Sequence, residues 1–250
     1  MPWQTFAASA IGKYHIDNNI PCQDDFAFRV VGDVLIGVVC DGAGSSAHSE
    51  IGAKECSRSV LDSIEMNLGE GESTRLETVC GRDNLEGAVD VARNRLQSMA
   101  DEKGFAFKDL SCTLVGCIAS SRGGCFFHIG DGFCIAEFDG QTPIVSLPEN
   151  GEYANETYFV TATDWAARLR ITPLPEARYG RVALMSDGAA PFVVSRERTG
   201  FFGPFIDPVA SYLSGVTQED GNKALGDTLA DERTYAITGD DKTLLIALLK

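Results

Sequence analysis

Apolar and polar positions follow two different periods along this chain. Thr5–Ala10, Phe26–Val31 and Val34–Cys40 are short runs rich in β-branched and aromatic residues and predict strands, with Val31-Gly32-Asp33 as a tight hairpin between the last two. From Ser49 the period lengthens. Ala53, Cys56, Val60, Ile64 and Leu68 recur at three- and four-residue steps, one face of a helix that "GEGEST" breaks. Leu85, Ala88, Ala92, Leu96 and Met99 form a second such stripe. Both stripes read as core-facing surfaces.

The two-residue period then returns. "CTLVGCIASS" (112–121) and "GCFFHIGDGFCIAEFDG" (124–140) predict strands joined by a turn at Arg122-Gly123. "TYFVTA" (157–162), "RVALMSD" (181–187) and "TLLIALL" (243–249) are further strand candidates, and Pro204–Leu213 and Gln218–Leu229 are helical candidates. Residues 141–156, rich in Pro, Glu, Asn and Gly, predict a mobile loop. Strands, two long helices and then hairpin-linked strands do not make the βαβ alternation of a parallel sheet. The order predicts an α+β fold with antiparallel sheets and helices segregated on their faces. No repeat or low-complexity tract divides residues 1–250, so one domain is expected.

The chemistry sits at the margins of the apolar runs. Asp41 ends the run Val34–Cys40 and is followed by Gly42-Ala43-Gly44. "PCQDDFAF" puts Asp24 before a strand, and "FFHIGDGF" sets Asp131 between two glycines. "VALMSDGAA" puts Asp187 before Gly188, and "ITGDDKTLLIALL" puts Asp240 and Asp241 ahead of the last strand. One Asp-Gly pair is an ordinary turn former. Five acidic strand ends meeting in one place would repel one another without a counterion. Mg²⁺ or Mn²⁺, which prefer carboxylate, carbonyl and water oxygens, resolve that conflict.

Composition narrows the classes. The formal net charge of −15 argues against a phosphate-backbone binder and an anionic membrane surface, and it suits a site that collects divalent cations. No pair of the eight cysteines has CxxC spacing, which argues against a zinc ribbon or a thioredoxin motif. Cys40, Cys112, Cys117, Cys125 and Cys134 fall inside apolar strand-like runs as small hydrophobes. With no apolar run of membrane-spanning length and no leader pattern, a cytoplasmic protein with reduced thiols is expected.

The pieces "QDD", "DGAG", "TLVG", "HIGDGF", "LMSDG" and "GDDKTLL", in that order across residues 12–249, resemble the metal-dependent protein phosphatases of the 2C type. The "GKYH…PCQDD" form is similar to a bacterial branch of that family. The resemblance implies a four-layer αββα sandwich, two central antiparallel sheets flanked by helices. It implies hydrolysis of phosphoserine and phosphothreonine in proteins by water activated between two cations, Mn²⁺ or Mg²⁺, with a possible third. Phosphorylated targets of a Ser/Thr kinase would be the partners, with no nucleic acid or membrane, and the chain would act as a monomer. It also implies roles. Asp41 bridges two ions, Gly42 offers its carbonyl, and Asp187 and Asp240 complete the first ion. Asp24 acts directly or through water. Asp131 helps hold a third ion with Asp187, Asp241 supports its neighbour, and Thr113 and Thr243 are structural.

The chain departs from the family pattern at three points. Ala43 stands where many members carry His, no Arg precedes Arg29, and Gly130-Asp131-Gly132-Phe133 replaces a GDSR motif. His15 is the stand-in for proton donor and phosphate binder. Arg122, Arg168 and Arg170 are loop candidates for gripping substrate. His48 reads as a solvated residue at a helix start and His128 as a packing residue. Two other readings compete: a regulatory module that kept the fold and lost the chemistry, and a two-metal nuclease, which the charge disfavours.

Overall fold

In the computed structural model, which describes residues 3–69, 76–148 and 157–249, strand β1 (Trp3–Ala10) and helix α1 (Lys13–Asn18) lead into the hairpin β2 (Asp25–Val31) and β3 (Val34–Cys40). Helices α2 (Ser49–Leu68), α3 (Leu76–Val79) and α4 (Arg82–Lys103) follow. The chain continues with β4 (Leu114–Ser120), β5 (Gly123–Ile129), β6 (Phe133–Phe138), β7 (Ile144–Ser146), α5 (Trp165–Arg168), β8 (Arg170–Leu174) and β9 (Tyr179–Met185). It closes with α6 (Ala190–Val193), α7 (Gly203–Leu213), α8 (Gln218–Leu229) and β10 (Lys242–Leu249).

The strands form two five-stranded sheets, ordered β2-β3-β4-β5-β8 and β1-β10-β9-β6-β7, and every pairing is antiparallel. Successive side chains of a strand point to opposite faces. In β3 this sends Val34, Ile36, Val38 and Cys40 toward Ala53, Cys56 and Val60 of α2. Leu35 and Val39 point the other way and meet Val115, Leu184, Leu245 and Ala247 between the sheets. Both faces of β3 are therefore buried, which is why its sequence is an unbroken apolar run. Each fully buried Ile or Leu there contributes about 1.5–3 kcal/mol. On the far side, Ile206 and Leu213 of α7 and Leu225 and Leu229 of α8 cover Phe6 and Ile246 of the second sheet. Thr217 caps α8, its hydroxyl accepting from the Asp220 amide at 3.2 Å. The result is the four-layer αββα sandwich.

Three expectations need correction. Residues 124–140 are two strands, not one: β5 belongs to the first sheet and β6 to the second. The switch is made at Gly130, whose φ of +106° favours glycine, and at Gly132, where an added Cβ would lie 2.7 Å from the Met185 carbonyl oxygen. Residues 157–162 form no strand. Val160 instead plugs the helix-side core, its amide donating to the Cys112 carbonyl at 2.9 Å, and Arg93 ties down the carbonyls of Val160 and Ala162. Part of the predicted loop 141–156 is ordered as β7, while residues 149–156 of it and 70–74 of "GEGEST" lie outside the described residues. The eight thiols are free, and Cys112 sits in an isolated bridge with Gly42 just before β4.

Candidate active site

Antiparallel order gathers particular strand ends on one side. The C-terminal ends of β3, β5 and β9 and the N-terminal ends of β2, β4, β6 and β10 share one end of the sandwich. The pairings Asp25↔Cys40, Leu114↔Ile129, Phe133↔Met185 and Leu244↔Met185 fix this. Asp24, Asp41, Asp131, Asp187 and Asp240 each sit one or two residues beyond such an end.

Each is held from the backbone or by a neighbouring hydroxyl. The Asp41 amide donates to Thr113 Oγ1 at 3.1 Å, and the Thr113 amide donates to the Asp41 carbonyl at 2.7 Å. Asp24 is buried and accepts the Ser186 hydroxyl at 2.7 Å, while the same Ser186 oxygen accepts the Thr243 amide at 3.0 Å. Asp131 accepts the Thr157 hydroxyl at 2.6 Å. The glycines permit close approach. A Cβ on Gly42 would lie 2.7 Å from the Gln23 carbonyl oxygen, one on Gly12 would lie 2.3 Å from the Asp240 carbonyl carbon, and one on Gly188 would lie 1.9 Å from the Asp241 carbonyl oxygen.

His15 lies on α1 and is only 5 % exposed. Its Nδ1 is 2.7 Å from Asp241 Oδ2, which also accepts the Gln23 amide at 2.6 Å, and Asp241 Oδ1 accepts the Gly12 amide at 2.6 Å. Asp241 thus fastens three segments around the site: the start of α1, the approach to β2 and the approach to β10. Its amide donates to Asp240 Oδ1 at 2.8 Å.

The electrostatics report the crowding. Burial pushes the Asp41 carboxyl well above the ordinary range, and the charges of Asp24, Asp187, Asp240 and Asp131 push it further. Burial raises Asp24 to about 7, offset in part by the Ser186 and Thr243 hydrogen bonds. Burial, with Asp131 and Asp240, raises Asp187 to about 6. Burial raises Asp240 as well. Asp24 Oδ1 and Asp187 Oδ1 are buried with no hydrogen-bond partner. Buried acceptors without donors, in an all-oxygen set of like charges, fit hard divalent cations.

Sequence reasoning missed several residues here. Ser186 and Thr157 lie inside strand-like runs, "RVALMSD" and "TYFVTA", and carry no signal of their own. Lys242 is fully buried at the start of β10, its Nζ 4.9 Å from the Tyr235 ring and without a hydrogen-bond partner. Burial lowers its pKa, while Asp241, Cys22, Asp240 and Asp24 hold it up. The available signal was one Lys in an otherwise apolar strand. Of the arginines expected on loops, Arg168 instead ends α5 and Arg170 starts β8, and all three are engaged elsewhere: Arg122 with Asp33 at 3.0 Å, Arg168 with Asp164 at 2.9 Å, and Arg170 with His128 Nδ1 at 2.9 Å. His48 stacks on Phe105 at 3.7 Å, and His128 is buried against the Ser146 hydroxyl. A cavity of about 670 Å³ opens beside Asp131 and Asp187.

The protein phosphatase 2C family profile matches residues 11–230. Serine/threonine-protein phosphatase 3 of Escherichia coli (strain K12) is 29% identical over 256 residues, 99% of this chain and 99% of the relative. A bacterial serine phosphatase structure superposes with a TM-score of 0.67 at 15% identity, covering 100% of this chain and 98% of that one. Stp1 from Staphylococcus aureus gives 0.65 at 14%, covering 100% and 96%. RsbX, crystallised with magnesium, gives 0.55 at 15%, covering 99% and 96%.

Proposed function

The chain belongs to the protein phosphatase 2C family, and from that premise we propose a role for each acidic residue in a metal-dependent serine/threonine protein phosphatase. Asp41, Asp187 and Asp240, with the Gly42 carbonyl, hold two Mn²⁺ or Mg²⁺ ions. Asp24 contributes directly or through water, and Asp131 shares a third ion with Asp187. When bound, such a pair of ions supplies charge neutralisation for the phosphoryl oxygens and a water acidic enough to attack phosphorus near neutral pH. The observation that carries this reading is the convergence of five carboxylates, two with orphaned oxygens, at one end of the sandwich.

The protein's own groups do the rest. Asp241 fixes the His15 ring through Nδ1, which leaves the other ring nitrogen outside that bond. We assign His15 to hydrogen-bond the phosphate and protonate the departing serine or threonine oxygen. Substrates are phosphorylated proteins made by a Ser/Thr kinase. Among the described residues no helix is long and apolar enough to cross a membrane.

Turnover of a phosphothreonine peptide and of an aryl phosphate with Mn²⁺ tests the reading. Hydrolysis of both supports it. Cleavage of a phosphodiester alone, or no turnover with any divalent metal, contradicts it. His15→Ala should lower kcat on the peptide by about 10²-fold while slowing nitrophenyl phosphate far less, because nitrophenolate leaves without a proton. Equal losses on both substrates would remove the proton-donor role.

The raised carboxyls predict a pH signature. Asp24 and Asp187 titrate near 7 and 6 in the fold against an ordinary 3.8. The folded state therefore binds more protons than the unfolded state between about pH 4 and 7. Their contribution to metal-free stability is full below that window and is lost as pH rises through it. Cations bind the ionised forms, so the gain in melting temperature on adding Mn²⁺ should grow from pH 5 to pH 8. A gain equal at both ends would contradict the assignment.

A further inference from the structure

The cavity beside Asp131 and Asp187 is walled by a segment that carries none of the acidic strand ends. After α6 the chain makes a tight loop closed by the bridge Val194↔Phe201. Three backbone bonds brace it: Ser195 amide to Gly200 carbonyl at 2.9 Å, Arg198 amide to Ser195 carbonyl at 2.8 Å, and Phe202 amide to Val193 carbonyl at 2.7 Å. Arg198 sits at φ +57°, in the left-handed region that a non-glycine residue rarely adopts. Functional sites are where such conformations concentrate.

This loop places two exposed guanidinium groups, Arg196 and Arg198, on the cavity, above an apolar lining of Phe133, Val194 and Phe202. The Arg198 guanidinium carbon is 5.7 Å from the centre of the Phe133 ring. Neither arginine meets a carboxylate among the described residues, although the chain carries a net charge of −15. Several other exposed arginines do find partners: Arg29 with Glu65, Arg82 with Glu86, Arg122 with Asp33 and Arg233 with Asp231. Two unneutralised cations held by a braced loop, continuous with the acidic site, form a local complement to anionic ligands on an otherwise repelling surface.

We propose that this cavity is a peptide subsite that selects phosphoproteins with acidic residues beside the phosphorylated serine or threonine. An acidic side chain of the substrate pairs with Arg196 and Arg198, and an apolar neighbour rests on Phe133, Val194 and Phe202. This rests on the phosphatase reading above and names the substrate class for that same site.

Two phosphothreonine peptides, identical except for Asp/Glu or Lys flanks, measure the selectivity as a ratio of kcat/KM values with Mn²⁺. The wild type should prefer the acidic peptide by about tenfold or more, with the difference in KM. Arg196→Ala with Arg198→Ala should bring the ratio to about one, and the double charge reversal to Glu should invert it. Arg198→Lys, which keeps the charge, should retain most of the preference. Equal turnover of both peptides by the wild type, or a preference that survives charge reversal, overturns the subsite while leaving the phosphatase reading intact. If the wild type hydrolyses neither the peptides nor an aryl phosphate, the phosphatase reading falls, and the subsite with it.

Discussion

Replacing Asp41 by Asn lowers kcat/KM on a phosphothreonine peptide by about 10³-fold or more and, in the same protein, raises the melting temperature of the metal-free form. The two effects have one origin. Burial raises the proton affinity of the Asp41 carboxylate, and the charges of Asp24, Asp187, Asp240 and Asp131 raise it further. At neutral pH the metal-free fold bears either that repulsion or the cost of taking up a proton, and Asn has neither. Each kcal/mol relieved adds about 2–4 °C for a chain of this size. Activity moves the other way, because on the proposed reading Asp41 would hold the cations, and losing its charge would remove about 4 kcal/mol or more of transition-state stabilisation. Differential scanning calorimetry without metal, alongside steady-state kinetics with Mn²⁺, checks both. A variant that loses activity and also melts lower would mean that Asp41 is a structural residue and not a ligand held under strain.

Gly188→Ala should lose about 2–3 kcal/mol of stability together with Mn²⁺ affinity. An added Cβ would lie 1.9 Å from the Asp241 carbonyl oxygen and 3.3 Å from the Asp240 Cβ. Both neighbours belong to the approach to β10, so the turn after β9 and that approach must separate, drawing Asp187 away from Asp240. The comparison is Gly87→Ala on α4, where nothing lies within 4 Å of the added Cβ. There the substitution should stabilise by about 0.5–1 kcal/mol, since alanine is the better helix former. Urea denaturation and a Mn²⁺ titration measure both changes. Equal stabilities for the two variants would contradict the close contact on which the site geometry depends.

Much of the site was legible because its residues share one local signature. Asp41, Asp131 and Asp187 each stand beside glycine at the margin of an apolar run, and Asp24 and Asp240 stand just ahead of one. Pairing of β2 with β3 brings Asp24 beside Asp41, and the two sheets, stacked with the ends of β3, β5 and β9 on one side, bring in the rest. What stayed hidden depends on contacts distant in sequence. The run 124–140 reads as one strand, since nothing in its periodicity shows that Gly130 and Gly132 carry the chain from one sheet to the other. Thr157–Ala162 has strand composition, yet Val160 is claimed by the core beneath α2 and α4. β8 escaped notice because Pro173 argues against a strand, although the edge of a sheet tolerates it. The burial of His15 was invisible because its partner, Asp241, is 226 positions away. Arg196 and Arg198 look like any charged loop, and only the fold sets them beside Asp131 and Asp187.

Crystals grown with Mn²⁺ and measured at its absorption edge give the most direct test of whether these aspartates form one cation site. The account predicts two strong anomalous peaks touching Asp41, one also reached by Asp187 and Asp240. Peaks confined to the outer surface, or an absence of peaks at millimolar Mn²⁺ with those carboxylates turned apart, would contradict it.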